Sequence, residues 1–357
     1  MNEIRNLISI SRYAGERFDL IQAGGGNTSV KFPNGQMQIK ASGMHLTDMC
    51  ELNGIAKIDN GKIKIFLEDV GLKVLSKRER ARKAQEVVDE ASFTPEIKAS
   101  IETFLHVLTF KYTLHTHPIV VNIVACRKDW RESFLQLFPS ALCVSYETPG
   151  IDLAMKMKEE LENYTNDVSE IPKIIFLQNH GLIISSNNVE ETKALTDKVV
   201  LDIEKYLGVD YSAYRMTNQV SELINSILNE KKIAYLSSDS FIMEVLAKDE
   251  SSFFLPPFCP DKLVYCGASC VKLKKLQDQG SIKEYIVEHG NYPRVVLYND
   301  LIFFIADSIR KAKEIEDVLK FHLITVTNNE GKRVNYLTES EIQYLNNWDA
   351  EKYRQKL

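Results

Sequence analysis

The chain has 357 residues, of which 44% are hydrophobic and 26% are charged; these values are typical of a globular protein and exclude a disordered or fibrous chain. Its length exceeds that of one typical domain, so we expect two domains or one domain with a large extension. The formal net charge of −5 at pH 7 excludes a broad basic surface of the kind that binds nucleic acid, although it is compatible with a local basic pocket.

The N-terminal segment MNEIRNLISISRYAGERFDL has neither the uninterrupted apolar core nor the cleavage site of a signal peptide. No later run of about 18 apolar residues could span a bilayer. The six cysteines do not indicate a disulfide framework in so long a chain. We therefore expect a cytoplasmic protein without a membrane or nucleic-acid partner.

The first predicted elements are a helix and a hairpin. Residues 2–18 carry apolar side chains at helical spacing and predict a short amphipathic helix. Residues 23–43 contain two alternating runs, TSVKF and QMQIKAS, on either side of Pro33-Asn34-Gly35, which predicts a β-hairpin. Residues 73–92 are densely charged, which is typical of a solvated helix or a mobile excursion.

The remaining pattern alternates helices and strands and indicates an α/β protein. Helices are predicted at 96–110, from 118 to 126 and at 189–206, and strands at 111–117, 142–146, 174–177 and 182–184. Residues 208–219 are a predicted linker, because the preceding helix stops at Gly208 and polar residues follow. The second part alternates helices with strand-like runs at 294–298 and 301–306, and no internal repeat is evident.

Three histidines form the sharpest chemical feature. His115 and His117 are alternate residues of a predicted strand, so both side chains would lie on one face and two imidazoles could converge on one ion. Such a pair alone is often incidental. His180 lies in a predicted turn between two strands, and three histidines with one open position match the ligand count of a catalytic zinc.

Another cluster of metal-ligating residue types is weaker. Cys259, Cys266 and Cys270 lie close together in the sequence, but no fourth ligand is obvious nearby. A structural zinc site usually needs four ligands, so a second metal site there is a minor alternative.

Glu102 is the candidate acid or base. It lies at the start of the predicted helix that leads into the histidine strand, where it could be a fourth metal ligand at rest and handle a proton once substrate displaces it. The alternative is an ordinary acidic residue facing the positive end of a helix dipole. His106, four residues later, would lie on the same helical face as an outer partner or as a core histidine.

Two polar segments lie at the ends of the predicted hairpin and therefore meet in space. The segments GGGNTS and KASG supply the candidate substrate-binding residues Gly26, Asn27, Thr28, Ser42 and Gly43. Glycine permits close backbone approach, and N–H groups with short polar side chains can surround phosphate oxygens. Ser100, at the predicted helix start, would add a hydroxyl and a dipole end. The alternative is a flexible turn.

In this order, GGGNTS, KASG, SIE, HTHP and NHG resemble the class II aldolase/adducin family over residues 1–207. The resemblance implies an α/β catalytic domain with a central β-sheet and helices on both sides, assembled as a tetramer with sites at subunit boundaries. At the metal site it is similar to L-fuculose-1-phosphate aldolase, which implies zinc on Glu102, His115, His117 and His180. It also implies phosphate binding by Asn27, Ser42, Gly43 and Ser100.

Residues 220–357 are expected to form a smaller C-terminal α/β domain of unknown role, after the linker at 208–219. Segments at 255–265, 292–315 and 344–357 resemble the region that follows the aldolase half in rhamnulose-1-phosphate aldolase/alcohol dehydrogenase fusions. No G-x-G-x-x-G fingerprint is present, so no nicotinamide cofactor is expected. A separate dehydrogenase is a candidate partner.

The resemblance implies a lyase that cleaves a ketose 1-phosphate to dihydroxyacetone phosphate and an aldehyde. Zn²⁺ is the expected cofactor, with Mn²⁺ and Co²⁺ as alternatives. Epimerisation, decarboxylation or dehydration on the same metal site are alternatives, as is a non-catalytic adducin-like binding protein. A Y-x-x-P-G pattern at 146–150 also fits the family, but a tyrosine acid cannot be placed.

Overall fold

The computed structural model describes residues 3–167, 170–228, 230–329 and 333–347. The chain forms two compact units, residues 1–211 and 212–357. The segment predicted as a linker, 208–219, is helical from Ser212 onward. Its polar composition hides an amphipathic pattern, because Thr217, Val220 and Ile224 are buried on one side of that helix.

The described part of the first unit contains seven strands and eight α-helices. The strands are β1 (Asn27–Lys31), β2 (Gln36–Lys40), β3 (Ile55–Asp59), β4 (Tyr112–Thr116), β5 (Leu142–Val144), β6 (Ile174–Leu177) and β7 (Gly181–Ser186). The helices are α1 (Glu3–Gly15), α2 (Asn60–Leu67), α3 (Lys77–Ala91), α4 (Thr103–His106), α5 (Ile119–Ala125), α6 (Trp130–Leu137), α7 (Ile151–Asp167) and α8 (Val189–Leu207). Short 3₁₀ helices lie at Leu46–Asp48 and Val70–Val74.

The seven strands form one mixed sheet in the order β3-β2-β1-β4-β7-β6-β5. Neighbouring strands are antiparallel except β5 and β6, which are parallel. One apolar core lies between the sheet and α1, α5, α6 and α8, and a second lies between the sheet and α2, α3 and α7. This central sheet with helices on both sides confirms the predicted fold class.

The charged segment at 73–92 contains helix α3. Ser76 and Glu79 form a reciprocal capping box at its start, which satisfies backbone N–H groups that a helix end otherwise leaves unpaired. The helix buries only Ala84, Val88 and Ala91. Small side chains therefore suffice to pack this face, and most of the charged residues stay in solvent, with Arg80 held by Asp152 at 2.6 Å as an exception.

The predicted helix at 96–110 is wrong in extent, since only α4, Thr103–His106, is α-helical there. Residues before it are held in an extended conformation by a β-bridge between Ala41 and Ala99 and by the bond from Ser42 N to Lys98 O at 2.8 Å. Side-chain hydroxyls compete for the helical carbonyls, as in the 2.6 Å bond from Thr103 Oγ1 to the Ser100 carbonyl.

In the second unit, the described residues form four strands and six α-helices. The strands are β8 (Ile233–Leu236), β9 (Val271–Lys272), β10 (Val295–Tyr298) and β11 (Leu301–Ala306). The helices are α9 (Ser212–Asn225), α10 (Ser240–Lys248), α11 (Pro260–Cys266), α12 (Gln279–His289), α13 (Ile309–Thr327) and α14 (Glu339–Asn347), with a 3₁₀ helix at Glu250–Phe254. The sheet order is β8-β11-β10-β9.

Helix α9 covers the outer edge of β8. The Asn225 side chain accepts from Lys232 N at 2.7 Å and donates to Lys232 O at 2.8 Å. Ser221 Oγ accepts from Ala234 N at 2.7 Å. These side chains satisfy strand groups that would otherwise face outward, so the edge does not offer a row of unpaired donors and acceptors.

The second unit repeats half of the first, although no internal repeat is evident in the sequence. Both β4 to α8 and β8 to α13 follow the order strand, two helices, strand, helix, two strands, helix. In both, the strand pairing is antiparallel, antiparallel and parallel across β4-β7-β6-β5 and β8-β11-β10-β9. The closing helices α8 and α13 each have 19 residues. The repeat is one of topology and register, which sequence identity alone does not reveal.

No helix among the described residues is both long and apolar enough to cross a membrane.

Candidate active site

The end of strand β4 presents two of the three histidines. His115 is fully buried on β4 and pairs across the sheet with Asn27 on β1 and Ile183 on β7. His117 follows the strand, and its backbone N–H is fixed by a 2.9 Å bond to Leu20 O. Because alternate strand residues share a face, both imidazoles point to one side of the sheet.

The third histidine comes from the tight turn between β6 and β7. Asn179 has a φ of 52°, in the left-handed region that asparagine tolerates better than most residues. A side chain at Gly181 would place its Cβ 2.2 Å from the Thr116 carbonyl oxygen. The turn can therefore approach β4 closely only with glycine at 181, and this approach brings His180 to the other two rings.

The three imidazoles converge through their Nε2 atoms. His115 Nε2 lies 3.1 Å from His117 Nε2 and 3.3 Å from His180 Nε2. His115 Nδ1 lies 3.1 Å from the Leu182 carbonyl, which can only accept, so Nδ1 carries the hydrogen and Nε2 keeps its lone pair. Burial lowers the pKa of His115 to about 4 and that of His117 to about 3, so both rings are neutral at pH 7.

The group fits a divalent metal ion. Zinc–nitrogen bonds of about 2.0–2.1 Å in a tetrahedron place two nitrogens about 3.3–3.4 Å apart, close to the two separations given above. Facing lone pairs repel one another unless a cation or a proton lies between them. Ligand atoms of His115, His117 and His180 all lie within 4.8 Å of one another. This set could hold one ion.

Glu102 completes the arrangement. Its Oε1 lies 3.1 Å from His180 Nε2, and its Oε2 lies 3.5 Å from His115 Nε2. Burial alone raises the pKa of Glu102, but the neighbouring imidazoles and the Asn27 amide outweigh burial and hold the pKa below its usual range. The carboxylate makes no capping bond to helix α4, so it faces the histidines rather than acting on a helix end.

Most of the predicted substrate-binding residues come together beside this group. Asn27 Nδ2 lies 3.3 Å from Ser100 Oγ, and the isolated Ala41–Ala99 bridge joins the segment that carries Ser42 and Gly43 to the segment that carries Ser100. Gly26 has a φ of 64°, and a Cβ there would lie 2.7 Å from the His115 carbonyl oxygen. The glycine-rich loop thus lies directly against the histidine strand.

Thr28 does not belong to this group. Successive side chains on β1 point to opposite faces of the sheet, and the Thr28 hydroxyl lies 2.6 Å from Ser11 Oγ in the core on the α1 side. Thr28 is fully buried there. Its prediction as a substrate-binding side chain is therefore corrected.

Two residues near the site were missed or only partly anticipated. Lys40 is buried, and its Nζ donates to Gly24 O at 3.1 Å and to Met44 O at 2.7 Å, which joins the two loops at the hairpin ends. The sequence signal that could have identified Lys40 was its position in the segment KASG. His106 does not bond Glu102 directly; its Nε2 bonds Asn27 Oδ1, and its Nδ1 lies 2.7 Å from Ser29 Oγ.

The cysteines of the second unit do not form a comparable group. Within the described residues, the three histidines are the only set of three ligand-type side chains that converge in this way. Burial raises the pKa of Cys266 to about 12 and that of Cys270 to about 11. Both thiols are therefore protonated at neutral pH in the structure as described.

Comparison with known families matches residues 5–201 to the family described as Class II Aldolase and Adducin N-terminal domain. This match covers more than half of the chain. The chain belongs to this family. Among curated proteins, none matches it.

Several solved structures are similar to this class II aldolase/adducin family member. The N-terminal class II aldolase domain of a conserved protein from Thermoplasma acidophilum has 21% identity and a TM-score of 0.49, covering 58% of this chain and 94% of its own. An L-fuculose 1-phosphate aldolase has 17% identity and a TM-score of 0.41, covering 69% and 95%. The L-fuculose-1-phosphate aldolase from Thermus thermophilus has 16% identity and a TM-score of 0.37, covering 57% and 93%.

Proposed function

We propose that the first unit is a metal-dependent carbon–carbon lyase that cleaves a ketose 1-phosphate to dihydroxyacetone phosphate and an aldehyde. One observation carries this proposal: three imidazole nitrogens and a carboxylate converge beside a loop pair rich in small polar donors. Membership of the class II aldolase/adducin family supports the reaction class.

The proposed metal ligands are His115, His117 and His180, with Glu102 as a fourth ligand at rest. Zn²⁺ is the proposed ion because neutral imidazoles suit it, and Mn²⁺ and Co²⁺ are the alternatives. When bound, the divalent ion supplies Lewis-acid stabilisation of the negative charge that develops on substrate oxygen.

The proposed phosphate pocket consists of Asn27, Ser42, Gly43 and Ser100. Within the described residues, the Gly43 N–H has no hydrogen-bond partner, so it is free to donate to a phosphate oxygen. The Ser100 hydroxyl already accepts from Asn27 Nδ2 and from Glu102 N, both at 3.3 Å, and it can donate its own hydrogen to the ligand. Gly26 allows the backbone to approach closely.

Glu102 is the proposed proton carrier. In the cleavage, the hydroxyl on C4 loses its proton as the C3–C4 bond breaks, and the phosphorylated fragment later gains a proton at carbon. The low pKa of Glu102 keeps the carboxylate ionised at rest, and the carboxylate would accept the proton once substrate displaces it from its resting partners. Its Oε1, which faces His180, is the proposed atom.

Related reactions are the main alternatives. Epimerisation, decarboxylation or dehydration of a sugar phosphate would use the same ligands, because the metal site does not encode the departing group. A non-catalytic adducin-like binding protein is the alternative from another class, and ion binding by the histidines would argue against it.

The cellular location, the oligomeric state, the domain boundaries and a partner are also proposed. We infer a cytoplasmic homotetramer whose domains are 1–207, catalytic, and 220–357, of unknown role, and a separate dehydrogenase is a candidate partner. Light scattering of the purified chain tests the tetramer. Co-purification of the chain with a dehydrogenase that is not fused to it tests the partner.

The reaction is tested by dihydroxyacetone phosphate release from a panel of ketose 1-phosphates by zinc-loaded protein. General acid–base groups contribute about 10²–10⁴-fold, so we expect Glu102→Gln to lose at least 100-fold and His115→Ala to lose both activity and metal. His289→Ala, in the second unit, is the matched control. Undiminished release by Glu102→Gln and His115→Ala would overturn the proposal.

A further inference from the structure

A row of buried polar side chains runs from the sheet to the candidate metal centre. Ser29 and His106 are 0% exposed, Asn27 is 2% exposed and Glu102 is 8% exposed. Ser29 and Asn27 lie on the same face of β1, because they are two residues apart on a strand. Buried polar groups of this kind are costly unless each finds a partner.

The hydrogen-bond directions in this row have one consistent solution. The Glu102 carboxylate can only accept, so the NH₂ group of Asn27 faces it, and Asn27 Oδ1 faces His106. His106 must therefore carry its hydrogen on Nε2. Its Nδ1 then accepts from the Ser29 hydroxyl at 2.7 Å.

The opposite amide orientation is excluded by the same partners. A flipped Asn27 would place its oxygen against the carboxylate of Glu102 and its NH₂ against the Nε2–H of His106. Each contact would then join two acceptors or two donors. The ionised Glu102 carboxylate thus fixes the amide orientation, and the amide oxygen in turn requires the Nε2–H form of His106.

We infer that His106 is a positioning residue, which through the Asn27 amide orients both the Glu102 carboxylate and the Ser100 hydroxyl. The two hydrogens of the Asn27 amide are divided between these partners: one bonds Glu102 Oε2 and the other lies toward Ser100 Oγ at 3.3 Å. His106 therefore links the metal side of the site to the phosphate side, although it touches neither ion nor substrate.

The surroundings of His106 favour this neutral form. Burial lowers its pKa well below the usual value, and the charge of Lys31 acts in the same direction. Backbone bonds join Glu102 to helix α4, which carries His106, including the one from Leu105 N to Glu102 O at 2.9 Å. The importance of the His106–Asn27 contact for catalysis rests on the proposed function. Its effect on the orientation of the Glu102 carboxylate does not.

The test compares His106→Leu, which removes the donor, with His106→Gln, which keeps an N–H donor at a similar distance. Groups that orient metal ligands typically contribute about 10–100-fold to metal affinity or activity. We expect His106→Leu to weaken zinc affinity, measured by chelator competition, by at least tenfold and to lower kcat more than it raises KM. His106→Gln should recover most of both.

Thr109→Val is the matched structural control. Thr109 also makes buried bonds beside α4, to His106 O at 2.7 Å and to Thr113 Oγ1 at 2.6 Å, but it lies outside the row. Thr109→Val should lose stability without a comparable loss of zinc affinity. Equal loss in Thr109→Val and His106→Leu would show a general packing effect and would overturn the inference.

Nitrogen-15 NMR of the His106 ring supplies a readout that needs no substrate. The inference requires hydrogen on Nε2 in the zinc-loaded parent, and hydrogen on Nδ1 would overturn it. If the parent cleaves none of the ketose 1-phosphates, the proposed function fails, while the tautomer and the zinc affinities of the variants still decide the role of His106.

Discussion

A buried histidine in the second unit, His322, has no hydrogen-bond partner at either ring nitrogen among the described residues. Its ring stacks on Phe258 with centroids 5.5 Å apart. Burial, with a smaller effect from the Lys262 charge, lowers the pKa of His322 to about 4. An unfolded histidine has a pKa near 6.5, so as the pH falls the unfolded chain binds the proton first.

We therefore expect His322 to destabilise the fold between about pH 6.5 and pH 4, and replacement by phenylalanine to remove that loss. His322→Phe should gain about 2 kcal/mol relative to the parent on going from pH 7 to pH 5. Urea unfolding followed by circular dichroism at both pH values measures this. His289→Phe is the control, and parallel pH dependences of parent and His322→Phe would contradict the assignment.

Single residues also show which parts of the candidate site a sequence can predict. His115 and His117 were predictable because alternate strand residues share a face. The same rule shows why Asn27 and Thr28, adjacent on β1, cannot both face the site. The link from His106 to Asn27 joins residues far apart in the sequence, so no local spacing contains it.

At the scale of elements, apolar runs were reliable, whereas two predictions for polar segments, 96–110 and 208–219, were not. The strands β6 and β11 match the predicted runs at 174–177 and 301–306, because strands buried on both faces are apolar along their length. The predicted helix at 96–110 is interrupted by a bridge from Ala41 to Ala99. Such a bridge depends on tertiary neighbours, which override local helical periodicity.

The turn between β6 and β7 allows a sharp test of how an element positions the site. A methyl group at Gly181 would lie 2.2 Å from the Thr116 carbonyl and 3.0 Å from His117 Cδ2. We expect Gly181→Ala to push the turn away from β4, to cost about 2 kcal/mol or more and to weaken zinc binding at least tenfold.

The matched control for that variant is Gly24→Ala, since a methyl group at Gly24 would meet nothing within 4 Å. Gly24 also lies in a loop next to the candidate site. Gly24→Ala therefore controls for the loss of backbone freedom when a loop glycine is replaced by alanine. Zinc titration and thermal unfolding of both variants decide the matter. Parent-like zinc affinity in Gly181→Ala would show that the close approach does not position His180.

At the scale of the molecule, the second unit repeats the half of the first that carries the histidines, but without them. Leu177 pairs with Gly181 at the β6–β7 turn as Tyr298 pairs with Leu301 at the β10–β11 turn. Counting from this register, Leu236 takes the place of His115 and Ser238 that of His117. The turn that holds His180 corresponds to Asn299-Asp300.

This correspondence predicts that one chain binds one ion, all of it in the first unit. Plasma mass spectrometry of untagged protein should give about one zinc per chain, and the double variant His115→Ala/His117→Ala should give none. Cys266→Ser/Cys270→Ser should keep the full content, because among the described residues these cysteines are not part of a group of three converging ligand side chains. A full equivalent of zinc in the histidine double variant would instead place the ion elsewhere, and its loss in the cysteine variant would assign it to the second unit. The repeat would then have kept a metal site with different ligands rather than lost one.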